Sequence, residues 1–422
     1  MQGVRSRVCP INPKKGQEML LLSPTIIYRN IGEYTHFLNY TSGDVISFDK
    51  DDGSTLIQNL SNLTTNNLSD ELSEFFRVSH IQLNSRRFRS TLVELGMKFL
   101  FPTTVNIELN RRCSLRCQHC YISSDELKNS SDEYFDTLSV NQIDKLLNDL
   151  IQMGVFLVVL TGGEPLLNKN IEYFIRSASE KQLVVEIFSN LQFLPDWFKQ
   201  TDLSNTSIGR IQTSVYSYLP EIHDNVTGRV GSLKRTIDSL KCLRDKGYYI
   251  EVATPLMNLN FEHRIATETF FIEMGIPHAF SWPIMNEYYA KPTGKSLLNI
   301  TKEQFWQICQ EKPDFVTKID CTDSDSPICA AGNALFSISA NGDIFPCSQY
   351  PKKVGNLFDT PICNIWLSPA MRKIAQCRLE DVASIHTLHN FCMGNNFSET
   401  GYPFQVPMFL QEIFAFYDQK EV

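Results

Sequence analysis

Val105-Asn106-Ile107-Glu108-Leu109-Asn110-Arg111-Arg112-Cys113-Ser114-Leu115-Arg116-Cys117-Gln118-His119-Cys120-Tyr121 runs from alternating apolar residues straight into a loop that holds three cysteines. Val105 to Leu109 reads as a strand. Three residues separate Cys113 from Cys117 and two separate Cys117 from Cys120. Thiolates spaced this way on one loop can converge on one face of a cubane iron-sulfur cluster, leaving its fourth iron without a protein ligand. A substrate or cofactor can bind at such an iron. The alternative is a zinc site completed by His119 or by a remote residue.

Around this loop, residues 102–285 alternate strand and helix. Ser139 with Gln142 three places on makes a capping box, and Ile143, Leu146, Leu147, Leu150 and Ile151 repeat at helical spacing up to Gly154. Val155 to Leu160 is a buried-type strand that ends in Thr161-Gly162-Gly163-Glu164-Pro165. Glycines at a strand's C-terminal edge admit close approach of a ligand, and Glu164 supplies a carboxylate suited to an ammonium group. Helices over 171–180, 232–246 and 262–274 and strands over 183–188, 210–215, 249–254 and 279–282 continue the pattern. The alternation predicts an α/β fold with a parallel sheet and its function at the C-terminal ends of the strands.

Ahead of this core, residues 25–29, 35–40 and 45–49 read as short strands, the last two joined through Thr41-Ser42-Gly43-Asp44. Helical stretches near 54–62 and 68–76 follow, and 84–89 reads as a linker. Behind the core, the zone from 301 reads as loop-rich and holds seven of the chain's twelve cysteines, which suggests a metal-stapled domain. There Asn341-Gly342 marks a hairpin that would bring Cys329 and Cys347 together.

The whole chain has 422 residues, room for two or three domains, with 42% hydrophobic and 20% charged residues. A net charge of −8 without a long basic run disfavours nucleic acid as a partner. No apolar run is long enough to span a membrane and no export signal is evident, so a cytoplasmic, reducing setting is expected. In that setting clustered thiols hold metal or do redox chemistry rather than form disulfides.

Together the three-cysteine loop and the Gly-Gly-Glu-Pro strand end resemble the radical S-adenosylmethionine (SAM) superfamily. The resemblance covers about 180 residues. It implies a partial (β/α)6 barrel and a [4Fe-4S] cluster on Cys113, Cys117 and Cys120, with SAM chelating the open iron. It further implies that Gly162, Gly163 and Glu164 hold the SAM ammonium, that Tyr121, Ser189 and Asn190 contribute to the SAM site, and that Ser214 makes another polar contact. A deoxyadenosyl radical formed from SAM would then abstract hydrogen from an unactivated carbon. Cys329 through Trp366 resembles the SPASM/Twitch extension of peptide-modifying members, which carries auxiliary clusters. The dense cysteine run of a full SPASM domain is missing after Trp366. One auxiliary cluster on Cys329, Cys347 and Cys392 is therefore expected, with Cys377 the leading fourth ligand and Cys321, Cys363 or a histidine behind it. His386 and His389 read as structural, and Cys9, Cys242 and Cys309 as outside the motifs.

By element order and size the N-terminal zone resembles the PqqD-like recognition domain that grips leader peptides by adding a strand to a sheet edge. The 35–40 strand or a neighbour would be that edge. The resulting expectation is a recognition domain over 1–84, a radical SAM core over 100–300 and an auxiliary Fe–S domain over 301–422. The partners implied are a precursor peptide, leader plus core, and an electron donor such as flavodoxin or ferredoxin. The alternatives are a dehydrogenase or epimerase of a small molecule within the same superfamily, and a non-catalytic Fe–S or zinc protein. The latter has no use for an ammonium site at Glu164.

Overall fold

The computed structural model describes residues 26–40, 42–59, 72, 75, 85–122, 138–200, 207–285, 295–316, 327–382 and 391–421. Strands β1 (Ile26–Ile31), β2 (Tyr34–Asn39) and β3 (Asp44–Asp49) form an antiparallel sheet of order β1-β2-β3. Among the described residues β2 is thus central, and its neighbours β1 and β3 are the edges. Helix α1 (Lys50–Asn59) follows; the expected helix over 68–76 lies almost wholly outside the described residues.

The stretch read as a linker is instead the start of helix α2 (Ser85–Phe99). Its charged opening hides an apolar stripe: Phe88, Leu92 and Leu95 are buried at helical spacing against Ile27 and Leu38 of the small sheet and Phe156, Leu157, Val159 and Val184 of the large one. Burying each such side chain contributes about 1.5–3 kcal/mol, which explains why the segment folds rather than tethers. Arg29 of β1 adds polar ties, donating to the carbonyls of Val155 (2.8 Å) and Gln182 (2.7 Å).

The large sheet has β4 (Thr104–Glu108), β5 (Leu157–Thr161), β6 (Val184–Phe188), β7 (Ile208–Ser214), β8 (Ile250–Pro255) and β9 (His278–Ser281) as successive parallel neighbours. Beyond β4, strand β10 (Leu335–Ile338) pairs parallel to it, and β11 (Asp343–Phe345) and β12 (Gly355–Asn356) continue antiparallel. Among the described residues nine strands run β12-β11-β10-β4-β5-β6-β7-β8-β9 without closing into a ring, a partial barrel as expected. The C-terminal hairpin is therefore a continuation of the core sheet. Crossovers are helical: α3 (Val140–Gln152), α4 (Ile171–Glu180), α5 (Pro220–Thr227), α6 (Ser232–Asp245) and α7 (Arg264–Glu273). The Ser139–Gln142 capping box opens α3, and Ile143, Leu146, Leu147 and Leu150 are its buried face.

The C-terminal zone is more regular than its cysteine density suggests. Helices α8 (Lys302–Glu311), α9 (Met393–Thr400) and α10 (Met408–Glu421) form there. Phe305 and Ile308 of α8 pack on Leu410, Phe414 and Tyr417 of α10 in a separate aromatic core.

Candidate active site

The three-cysteine loop leaves β4 and is clamped from two sides. Gly163 N–H donates to the carbonyl of Asn110 (2.7 Å), and the Asn110 side chain donates to the carbonyl of Glu164 (2.9 Å). Gly162 has φ +131°, and a Cβ there would fall 2.2 Å from the Asn110 carbonyl oxygen. The glycines of the strand end therefore serve the close approach of the chain's own cysteine loop. From the other side, Arg116 and Gln118 donate backbone N–H groups to Thr227 and Val226 at the end of α5 (2.9 Å each).

Cys113, Cys117 and Cys120 are gathered on this loop. Burial pushes the Cys113 thiol up to about 11 and the Cys117 thiol up to about 12, with nearby Cys120 adding to both. Such thiols ionise only beside compensating positive charge, as bound metal supplies. Donors already aim at the sulfurs: Leu115 N–H (3.4 Å) and the Asn190 amide (3.4 Å) at Cys113, and the Tyr216 hydroxyl (3.8 Å) at Cys117. Three thiols on one loop, with donors already directed at two of the sulfurs, are a donor set that suits an iron-sulfur cluster with one iron left open. His119, the candidate zinc ligand, places its Nε2 2.8 Å from the Tyr216 hydroxyl.

Glu164 is 3% exposed. Its carboxylate accepts from Leu166 N–H (3.0 Å), the Ser189 hydroxyl (2.7 Å) and Asn190 N–H (2.7 Å). Burial outweighs these bonds and lifts its pKa to about 7. Ser189 and Asn190, just past the end of β6, both bond Glu164, and Asn190 also reaches Cys113. Ser214 closes β7, half-buried. Tyr121 donates to a Glu108 carboxylate oxygen (3.3 Å) and is held protonated by burial. Tyr216 is the residue the sequence reading missed; its place two residues beyond Ser214, with the alternation of β7 running on past the strand end, was the available signal.

A second group of thiols forms around the hairpin. Gly342, at φ +80°, turns β10 into β11 and brings Cys347 back toward Cys329. Cys392 caps α9, with Asn395 N–H donating to its sulfur (3.4 Å). Ile328 N–H donates to the Cys377 carbonyl (3.3 Å), setting that residue beside Cys329. Burial raises the Cys329 thiol to about 12, with Cys392 and Cys377 adding to it, and raises Cys347, with Cys392 and Cys329 adding to it. Cys363 is exposed and its sulfur meets the Asn364 side chain. Cys242 and Cys309 pack into apolar cores. Cys9, Cys321, His386 and His389 lie outside the described residues.

A cavity of about 670 Å³ is lined by His119 and Tyr121, the two neighbours of Cys120, and by Ile328 and Cys392 of the second thiol group. Phe188 and Trp282 contribute aromatic wall, and Asn106, Gln349 and Asn395 contribute amides; no charged side chain is among its described lining residues. Behind Phe188, Arg89 and Arg210 each place a guanidinium 5.4 Å from its ring centroid.

The radical SAM superfamily model matches residues 107–271, and that of SPASM, an iron-sulfur cluster-binding domain, matches residues 329–394. Over 320 residues the chain is 27% identical to the antilisterial bacteriocin subtilosin biosynthesis protein AlbA of Bacillus subtilis (strain 168), covering 71% of this chain and 67% of that protein. Over 298 residues it is 22% identical to the AdoMet-dependent heme synthase of Methanosarcina barkeri (strain Fusaro / DSM 804), covering 63% and 82%. Its fold is similar to that of Streptococcus suis SuiB solved bound to precursor peptide SuiA, at TM-score 0.61 and 17% identity over 92% of this chain and 99% of that one. Among the described residues no helix is long and apolar enough to cross a membrane.

Proposed function

The chain belongs to the radical SAM superfamily as an enzyme with a C-terminal SPASM domain, and from this we propose that it modifies a ribosomally synthesised peptide. Its cofactors are a [4Fe-4S] cluster with SAM and SPASM iron-sulfur. The cavity shared by His119, Tyr121 and Cys392 carries the proposal, because a substrate carbon in it would lie close to both proposed cofactor sites. Its neutral, aromatic lining suits an uncharged side chain presented by a longer chain. Similarity to a bacteriocin biosynthesis protein supports a peptide substrate. The similarity to a heme synthase supports, as the second reading, a small molecule.

In this reading Cys113, Cys117 and Cys120 hold the SAM cluster, and Glu164 with the backbone at Gly162 and Gly163 faces the SAM ammonium. Ser189, Asn190, Ser214 and Tyr121 complete the SAM site. Cys329, Cys347 and Cys392 hold one auxiliary cluster, with Cys377 as fourth ligand. Bound together, cluster and SAM supply a deoxyadenosyl radical that removes hydrogen from carbon. The protein orients the substrate, and the apolar wall keeps water from the radical. We assign residues 1–84 to leader recognition, 100–300 to the radical SAM core and 301–422 to the auxiliary domain. A flavodoxin or ferredoxin in the cytoplasm would supply the electron.

The test is anaerobic reconstitution with SAM and a reductant. Deoxyadenosine should form, and should vanish when Cys113, Cys117 and Cys120 are all replaced by Ala. That variant should keep about four irons per chain, the content of one cubane. Undiminished deoxyadenosine would sink the cluster assignment, and an iron-free variant would remove the auxiliary cluster. A short reading frame beside the gene gives the candidate peptide; turnover of a small molecule, and none of that peptide, would favour the second reading.

A further inference from the structure

Tyr216 belongs to neither cysteine group and to no motif, yet it stands against one of the proposed cluster ligands. It is 4% exposed. Its backbone is fixed at both ends: its N–H donates to His223 Nδ1 (3.3 Å), and its carbonyl accepts from the Asn260 amide (2.9 Å). Its hydroxyl lies 2.8 Å from His119 Nε2 and 3.8 Å from Cys117 Sγ, and the Ser214 side chain is a further partner.

A phenol has one proton to give and lone pairs with which to accept. With the His119 proton on Nε2, the imidazole donates to the phenol oxygen, and the phenol proton is left to point at the sulfur. His119 also lines the cavity, so the run of groups leads from the cavity wall to the thiol.

We propose that Tyr216 donates a hydrogen bond to the Cys117 sulfur and thereby raises the reduction potential of the SAM cluster, with His119 orienting the phenol. This rests on the reading that Cys117 is a cluster ligand. Reduction adds negative charge that a donor at the sulfur stabilises, so the reduced form gains more than the oxidised form. Tyr216 is a positioning and tuning residue, since it reaches the cluster only through the thiolate.

The measurement is a redox titration of the reconstituted full-length enzyme, followed by the electron paramagnetic resonance signal of the reduced cluster. The Cys329, Cys347 and Cys392 triple-Ala background removes the auxiliary signal. Tyr216→Phe should bind as much iron as its parent. At the parent's midpoint its ratio of reduced to oxidised cluster should fall about tenfold, ~59 mV for one electron. His119→Phe should shift the potential the same way by a smaller amount. Should Tyr216→Phe lose its iron, His119→Phe decides, because it leaves the phenol in place. An unchanged or raised potential in an iron-replete Tyr216→Phe protein overturns the proposal while leaving the cluster assignment intact. A parent whose signal survives replacement of Cys113, Cys117 and Cys120 overturns the assignment itself.

Discussion

A methyl group on Gly163 would lie 2.4 Å from the carbonyl oxygen of Arg112, one residue before the first cysteine of the loop. The obstacle is backbone, which cannot swing aside as a side chain would. Gly163→Ala should therefore push the loop away from the strand end and misplace Cys113 relative to Glu164. A displacement near 1 Å at a reacting site can cost roughly 10²-fold in rate. Deoxyadenosine formation should drop by about that much, with iron binding reduced less, as colorimetric iron assay and chromatography would record. Wild-type activity in Gly163→Ala would show that the contact has no bearing on the site.

Glu164 gives a pH dependence. Its carboxyl is raised from 4.5 to about 7, chiefly by burial. A raised carboxyl binds its proton more tightly folded than unfolded. Its effect on folding is thus most favourable below pH 4.5 and is lost as pH climbs to about 7. Ammonium binding at the proposed SAM site has the opposite sign, because it needs the carboxylate. SAM affinity should strengthen as pH rises from about 6 to 8, and Glu164→Gln should bind SAM weakly with that slope flattened. Isothermal titration across the range is the check; a slope unaltered in Glu164→Gln would assign the pH dependence elsewhere.

The buried charges behind Phe188 make a stability prediction. Arg210 donates to Glu186 at 2.8 Å and is also paired with Glu251, while Arg89 from α2 pairs with Glu186. Two positive and two negative groups balance. Arg210→Met leaves two carboxylates sharing Arg89, and breaking a buried pair typically costs about 3–5 kcal/mol. The melting temperature should fall sharply at pH 7. Adding Glu251→Gln to that variant should recover part of the loss by removing one stranded charge. A loss that the second substitution leaves unchanged would point to packing against Phe188 instead.

These cases show which features were local enough to read. The capping box at Ser139 and the buried run Val155 to Leu160 each declare themselves within a few residues, and the structure follows them; the cysteine spacing is just as local. Which strand of the small sheet is central is set by long-range pairing, so the sequence of β2 could not reveal it. Helix α2 was missed because its Arg-rich opening resembles a solvated linker; only its burial under the large sheet shows why Phe88, Leu92 and Leu95 repeat. The carboxylate of Glu164 was legible as a functional group, but its three internal donors were not, since two come from the end of the next strand.

A peptide strand added to the small sheet gains affinity from unpaired backbone groups, so among the described strands its places are β1 and β3. Arg29 of β1 is spent on the carbonyls of Val155 and Gln182, which ties that strand to the barrel. β3 instead meets α2 through the Asp44–Arg87 ion pair, two residues before the Arg89 that reaches Glu186. Precursor peptide should therefore protect the amides of residues 44–49 from hydrogen–deuterium exchange in the full-length protein, with residues 26–31 little changed. Protection should persist with a leader-only peptide and disappear with a core-only one. If the precursor is processed while exchange along 44–49 stays as in the free enzyme, the sheet is a structural extension and the leader is gripped elsewhere.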